Sequence, residues 1–499
     1  MKSKKNALIL LILFVIQINL LYSQSVPSDL DKLFTRLDEN NQFSGVALIA
    51  HSDAIIYYKA FGLANREWEI PNTINTKFNI QSITKTIIAV TVLKQVDKGL
   101  LNLEGKVIDY LPDYKGYNGD KITIHQLLSH TSGLPEDIAN GNIPNEIYRS
   151  KRLLLEIEKT KPENEPGAVF LYSAVGYQLL SVILEKVLGS DLPTILQNEI
   201  FKPLNMNNSM IDNGQMIIPQ MAEGYNYHLI KGYQKGGYEN MTFTFGNGGI
   251  VSTAKDLYNL NLSISKNQII SENSKRLLFT FNKDNYGLGS KLRYFKISNK
   301  SDSVQIIYHN GGGISGYRSG MAWIINDGYM IILLENSERS FQFGAYNTNE
   351  ITDLVLNVLY NQQKELPRQS AVTEIAPYVL KNGVDFALNK YKQIMVERSD
   401  RFYFSKNELC TLGMQFRDDS VNLKILEFGM KEYPKSYNFY HSYADVLASM
   451  EDYHKAIQYY KKGLDVYHKY PDENEQYMKW INQAPEEIKG LDEIIKKQK

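Results

Sequence analysis

The chain has 499 residues, carries 55 basic against 55 acidic side chains and is 43% hydrophobic. That length predicts more than one domain, and the charge balance excludes a general attraction to nucleic acid or to an anionic membrane surface. A single cysteine, Cys410, permits no intramolecular disulfide, so the fold has to rely on its cores.

In chain order, Lys2, Lys4 and Lys5 precede an apolar run from Ala7 to Ile16, and Leu21-Tyr22-Ser23-Gln24 leads into polar sequence. This layout predicts a signal peptide over 1–23, cut near Ser23 or Gln24, and a periplasmic or secreted protein. A retained anchor is the alternative, but Gln17 and Asn19 interrupt a run already shorter than the roughly 20 apolar residues of a spanning helix, so no stable membrane span is expected. No cysteine follows the run, which excludes lipoprotein processing.

Ser44 to Ala50 and Ala54 to Phe61 are β-rich and read as an early hairpin around His51-Ser52-Asp53. Phe78-Asn79-Ile80-Gln81 reads as an extended approach to an amphipathic helix marked by Ile83, Ile87, Val90, Leu93, Val96 and Leu100, with Gly99 near its end. Helical patterns continue to about Leu204. Strand signals return at Arg293 to Ser298, Val304 to Tyr308, Met321 to Ile325 and Tyr329 to Leu334, the last two joined by the turn Asn326-Asp327-Gly328, and Ile351 to Leu366 reads as a closing helix. The expectation for 28–366 is an α/β domain: a mixed antiparallel sheet built from both chain ends, flanked by helices and carrying an inserted helical lobe.

Beyond a linker at 367–375, residues 376–499 read as an all-helical extension. Tyr440, Tyr443-Ala444, Leu447, Ala456, Tyr460 and Gly463 resemble one tetratricopeptide unit, and Gly429 precedes Gly463 by that repeat's 34-residue period. Two expectations stand side by side: a tail that binds a protein partner, and a plain helical hairpin packed on the first domain.

Three Ser-x-x-Lys spacings occur, at Ser82 to Lys85, Ser252 to Lys255 and Ser263 to Lys266. On a helix, residues three apart share a face, so such a lysine reaches its serine without a tertiary contact. Context favours Ser82, because it opens a helix after an extended segment, where backbone N–H groups and the positive dipole end favour an alkoxide and an oxyanion. Thr253 and Asp256 instead have capping-box spacing, and Ser263 lies between an apolar helix and a polar loop, so both other serines read as structural. Two further motifs follow Ser82 in order: Tyr172-Ser173-Ala174, and His309-Asn310-Gly311-Gly312-Gly313 running out of an edge strand.

The wording around these sites resembles the serine beta-lactamase and penicillin-recognising superfamily, in its class C, D-aminopeptidase and esterase branch. The blocks that carry the resemblance are FNIQSITK at 78–85, ITIHQLLSHTSGLP at 122–135, PGAVFLYSAVGYQLL at 166–180, IFKPLNM at 200–206, GNGGIVSTAKDL at 246–257, YGLG at 286–289 and HNGGGISG at 309–316. The resemblance implies a beta-lactamase/transpeptidase-like fold, no cofactor, Ser82 as the acylated nucleophile and Lys85 with Tyr172 as the general-base pair. It also implies that His309, Asn310, Gly311 and Gly312 bind substrate, Gly312 offering the second oxyanion N–H beside that of Ser82. A phenol of ordinary pKa near 10 needs neighbouring cations to act as a base at neutral pH, and Lys85 supplies one.

Two departures matter. Ala174 stands where many members have asparagine, and His309 stands where lactamases and DD-peptidases have the lysine of Lys-Thr-Gly. An ordinary imidazole is mostly neutral at about pH 7.5, so the anchor for a substrate carboxylate is weakened. The expected substrate is therefore a small-molecule or cell-wall-derived ester, or an amide without a free carboxylate. A true beta-lactamase or DD-peptidase is the alternative within the class, and a catalytically impaired binding or scaffold protein the alternative outside it. His125 and His130 lack zinc-helix spacing, so both read as structural and no metal site is expected.

Overall fold

Alternation along the strands settles how the first part of the chain folds. In a strand, successive side chains point to opposite faces, and here both faces are apolar, as in GVALIAH and YMIILLE. A sheet with two apolar faces has to be covered on both. The computed structural model describes residues 26–138, 150–297, 303–339, 346–362, 365–471 and 475–498; the expected signal peptide at 1–23 lies outside them. None of the described helices is long and apolar enough to cross a membrane. The chain divides into two compact units, the first made of residues up to 226, 235–338 and 346–366, the second of 227–234, 339–345 and 367–499.

The first unit opens with helix α1 at 26–39, followed by β1 (Gly45–His51), β2 (Ala54–Phe61), the short β3 (Phe78–Asn79), α2 (Ile83–Asp97), α3 (Ala174–Leu188), β4 (Ile250–Ser252) and α4 (Ala254–Ser265). It continues with β5 (Lys291–Lys296), β6 (Ser303–Ile314), β7 (Tyr317–Ile324), β8 (Tyr329–Glu335) and α5 (Thr348–Leu359). The main sheet runs β5-β6-β7-β8-β1-β2, every neighbour antiparallel. Strands from both chain ends therefore meet at β8 and β1, where Val46 pairs with Leu334 and Leu48 with Ile332.

One face (Val46, Leu48, Ile307, Met321, Ile332) shares a core with α2 and the helices that follow it. The other (Ala47, Ile49, Ile306, Ala322, Leu333) is closed by Leu30, Phe34 and Leu37 of α1 and by Ile351, Val355 and Leu356 of α5. At roughly 25 cal/mol per Å² of apolar surface removed from water, a fully buried leucine such as Leu48 contributes about 1.5–3 kcal/mol.

Three expectations change in the structure. Helix α2 is not amphipathic: Ile83 through Leu93 are all buried, because its polar residues are satisfied internally, Thr91 Oγ1 donating to Ile87 O at 2.8 Å and Thr86 Oγ1 to Gly289 O at 2.6 Å. Strand β6 is not the sheet's edge, since β5 lies outside it. That pairing ends at Lys291 opposite Tyr308, however, so His309 to Gly312 extend past their outer neighbour and pair with β7 alone. The expected linker at 367–375 holds a short strand, Gln369–Ser370, and the start of a helix.

The second unit is helical: α6 (Ala371–Asn382), α7 (Val384–Glu397), α8 (Lys406–Leu412), α9 (Asp419–Glu432), α10 (Tyr437–Ser449), α11 (Tyr453–Lys469) and α12 (Glu475–Gln498). Its core gathers Ile375, Leu409, Leu426, Phe439 and Ala444, together with Leu229 from the inserted segment 227–234. A Cβ on Gly429 would overlap the Phe439 ring, and one on Gly463 would lie 3.1 Å from the Tyr437 ring. Close helix packing is a sufficient reason for both glycines.

Candidate active site

Of the three Ser-x-x-Lys spacings, the Ser82 spacing brings its two side chains together. Asn79 of β3 pairs with Val251, and Asn79 Oδ1 accepts the Gln81 N–H at 2.8 Å. This holds buried Gln81 at φ 49°, a left-handed conformation that few non-glycine residues adopt. The turn delivers Ser82 into α2 with helical angles of φ −62° and ψ −10°, and its hydroxyl does not cap the helix. Instead Lys85 Nζ donates to Ser82 Oγ at 3.1 Å and to Asn247 O at 2.9 Å. The first-turn N–H groups are less free than the sequence implied: those of Ile83, Thr84 and Lys85 are taken by the carbonyls of Ile80, Gln81 and Ser82.

Lys85 is 2% exposed, and among the described residues no carboxylate pairs with it. Its charge is met by oxygen dipoles and by ring faces, with Nζ 4.9 Å from the centre of the Tyr172 ring and 6.0 Å from that of Tyr177. Tyr172 stands just before α3, in a clamped segment. Ser173 caps α3 by accepting the Gly176 N–H at 3.0 Å, donates from its hydroxyl to Pro135 O at 2.7 Å, and gives its own N–H to His130 Nδ1 at 2.9 Å. Since that nitrogen accepts, the His130 proton sits on Nε2, 3.0 Å from the Tyr286 hydroxyl. Burial holds His130 well below the ordinary imidazole range and pushes the Tyr177 and Tyr286 phenols up. His130 is thus structural, as its sequence implied, and its ring lies 4.4 Å from that of Tyr172.

The third motif docks on the first. His309 Nδ1 is 2.5 Å from Gly289 O and 3.1 Å from Thr86 Oγ1. A carbonyl only accepts, so Nδ1 carries the proton and Nε2 a lone pair. Burial lowers its pKa to about 3, against the Gly289 hydrogen bond, with the Lys85 and Lys291 charges adding to the fall, so His309 is neutral throughout the physiological range. Gly311 shares its face of β6: a Cβ there would lie 2.5 Å from Ile80 O and 2.6 Å from Gln81 Cβ, so only glycine lets the strand reach the turn before Ser82. Gly312 is exposed and sits at a bulge in the β6–β7 pairing. Asn310 is turned away. Its amide donates to Asn349 Oδ1 on α5 at 2.8 Å, on the opposite face of the sheet, and this corrects its expected place among the substrate-binding residues.

The other two serines are spoken for. Ser252 Oγ is 2.8 Å from Ser209 Oγ while Lys255 lies over the Tyr258 ring, and Ser263 Oγ donates to Leu260 O while Lys266 pairs with Asp53. Sequence reasoning missed Thr86, the carbonyls of Asn247 and Gly289, and Lys291, whose Nζ lies 5.9 Å from the Tyr172 ring centre. The GNGG and YGLG blocks flagged two of these segments, but a carbonyl acceptor has no signature of its own.

A family model described as Beta-lactamase matches residues 30–356. Penicillin-binding protein 4* of Bacillus subtilis (strain 168) is 28% identical over 372 residues, covering 70% of this chain and 79% of that protein. Among solved structures, the octameric penicillin-binding protein homologue from Pyrococcus abyssi superposes with a TM-score of 0.55 at 25% identity, over 68% of this chain and 79% of that one. The D-amino acid amidase from Ochrobactrum anthropi SV3 gives 0.56 at 22% identity, over 67% and 100%, a likeness of fold alone.

Proposed function

We propose that this chain, which belongs to the beta-lactamase family and is a serine hydrolase of that superfamily, works through a Ser82 acyl-enzyme on esters, or on amides that lack a free carboxylate. The observation that carries this reading is the part-buried contact of Lys85 Nζ with Ser82 Oγ at the start of α2. In the step it supports, the Ser82 proton passes to Tyr172, or to Lys85 in its neutral form, as Oγ bonds to the substrate carbonyl carbon. The resulting oxyanion is met by the N–H groups of Ser82 and Gly312. Collapse expels the alcohol or amine, which takes the proton back, and water then releases the acyl group by the same sequence.

Neutral, buried His309 offers no permanent charge to a substrate carboxylate, which supports the preference for substrates without one. The names of the relatives favour a second reading within the class, action on penicillins or on cell-wall peptides. An impaired binding protein is opposed by the Ser82–Lys85 contact. Export rests on the basic residues and apolar run before residue 24.

Incubation with a fluorophosphonate and with a panel of acyl esters, read by mass spectrometry, tests the reading. The adduct is expected on Ser82, and Ser82→Ala should abolish turnover while Ser252→Ala and Ser263→Ala leave it intact. An adduct on Ser252 or Ser263 with Ser82 unmodified overturns the assignment, and penicillin turnover faster than that of simple esters moves the function to the second reading.

A further inference from the structure

Tyr172 can take a proton near neutral pH only if positive charge stands beside its ring, because a nearby cation favours the charged form of an acid. The titratable and charged groups that face it come from several elements. Lys85 reaches it from α2, Tyr177 from α3, His130 from the segment before Ser132, and Tyr286 with Lys291 from the turn into β5. The two tyrosines are neutral acids at physiological pH, and burial keeps both His130 and nearby His309 uncharged. Lys85 is already committed to Ser82 Oγ and Asn247 O. Among the described residues, the cation left over is Lys291.

Its placement is built rather than incidental. Gly287 N–H bonds to Ser290 O at 2.8 Å, Gly289 adopts a left-handed φ of 81°, and Tyr286 bridges back to Lys291. The tight turn therefore sets Lys291 beside Tyr286, whose hydroxyl is held by His130, itself in ring contact with Tyr172. On its other side Lys291 pairs with Tyr308, the residue before His309. Lys291 is half-buried, and among the described residues no carboxylate pairs with it. A lysine drawn toward a core without an acidic partner is costly unless its charge acts on something there.

We propose that Lys291 is a positioning residue that supplies the second positive charge of the site, its ammonium set 5.9 Å from the centre of the Tyr172 ring, beside the place where negative charge forms as the Ser82 proton is moved. This rests on Ser82 being the nucleophile. It assigns to the edge strand β5 the permanent charge that β6, with a neutral histidine at 309, does not carry.

The test follows the rate of Ser82 labelling by an uncharged fluorophosphonate across pH in the full chain, for wild type, Lys291→Gln and Lys291→Arg, with thermal melts to show that each variant folds. An ammonium this close to a reacting group at a partly buried site is expected to change a proton equilibrium by about tenfold. Lys291→Gln should therefore label roughly tenfold more slowly near pH 7, with its acid limb moved to higher pH and the gap closing toward pH 10, while Lys291→Arg stays within about threefold of wild type. Wild-type labelling by Lys291→Gln at every pH overturns the inference. So does a loss that is constant across pH and shared by Lys291→Arg, the mark of a merely structural role. Failure of the underlying reading is distinct: wild type itself would then carry no adduct on Ser82.

Discussion

A lysine buried without a carboxylate makes sense only if its charge, or its lone pair, is used, and Lys85 spends neither on stability in any visible way. Its hydrogen bonds go to a hydroxyl and a carbonyl, both weaker partners than an acid. The same logic governs residue 309. An imidazole there stays neutral because its surroundings are dry, whereas a lysine starts at about 10.4 and would have to fall by about three pH units before losing its charge at neutral pH. The exchange Ala174→Asn with His309→Lys should accordingly raise acylation by penicillins selectively, while wild type acylates slowly or not at all with them. Stopped-flow acylation of the double variant, against each single one, measures the gain; neighbours couple, so the pair is the fair comparison. Rapid penicillin turnover by the wild type would refute this account.

At the scale of elements, the approach of β6 to the turn before α2 depends on a missing side chain. Gly311→Ala places a methyl 2.5 Å from Ile80 O and 2.6 Å from Gln81 Cβ, so the strand has to move away from Ser82. A cost of about 1–3 kcal/mol in stability is expected, with a loss of ester turnover much larger than that of Lys296→Ala at an exposed position of β5; a calorimetric melt and a rate assay check both. In the helical unit, His441 on α10 joins its own helix to α12, Nδ1 lying 3.2 Å from Asp445 and Nε2 3.1 Å from Glu487. Burial opposes its charge, but the two carboxylates outweigh burial and raise its pKa above the ordinary value. Since the folded value is the higher one, this contribution is fully present below about pH 6.5 and is lost as pH rises through the raised value. The pH dependence of the second unit's Tm should therefore show a decline above neutrality that His441→Gln removes.

For the molecule as a whole, segment 227–234, which comes from the middle of the first unit's sequence, belongs to the second. Leu229 is 1% exposed, with Tyr227 and Ile230 packed into the same helical core. A chain ending at Leu366 would bare that apolar surface, at about 1.5–3 kcal/mol for the leucine alone. Lower Tm and aggregation are expected, with partial recovery of solubility in the shortened chain on Leu229→Ser; a shortened chain with wild-type Tm and solubility would contradict this. The α/β architecture was legible because the β-rich runs and the turns at 52–53 and near Gly328 announce themselves locally. The second connection is a short 3-10 turn over Ile325–Asp327 with Gly328 left-handed, which pairs Ile324 with Tyr329 across the hairpin that Asn326-Asp327-Gly328 implied.

The residues themselves determined that Ser82 and Lys85 share a helix face, that an extended segment precedes them, and that strands from both chain ends have two apolar faces to cover, since each follows from spacing over a few residues. Tertiary structure alone decided that α2 is buried throughout Ile83 to Leu93, and that His309 is neutral and tied to Thr86, 223 residues away. It also decided that Asn310 faces Asn349, and that Lys291 stands beside Tyr172. Desolvation and contact between distant segments have no local period, so nothing in the order of residues announces them.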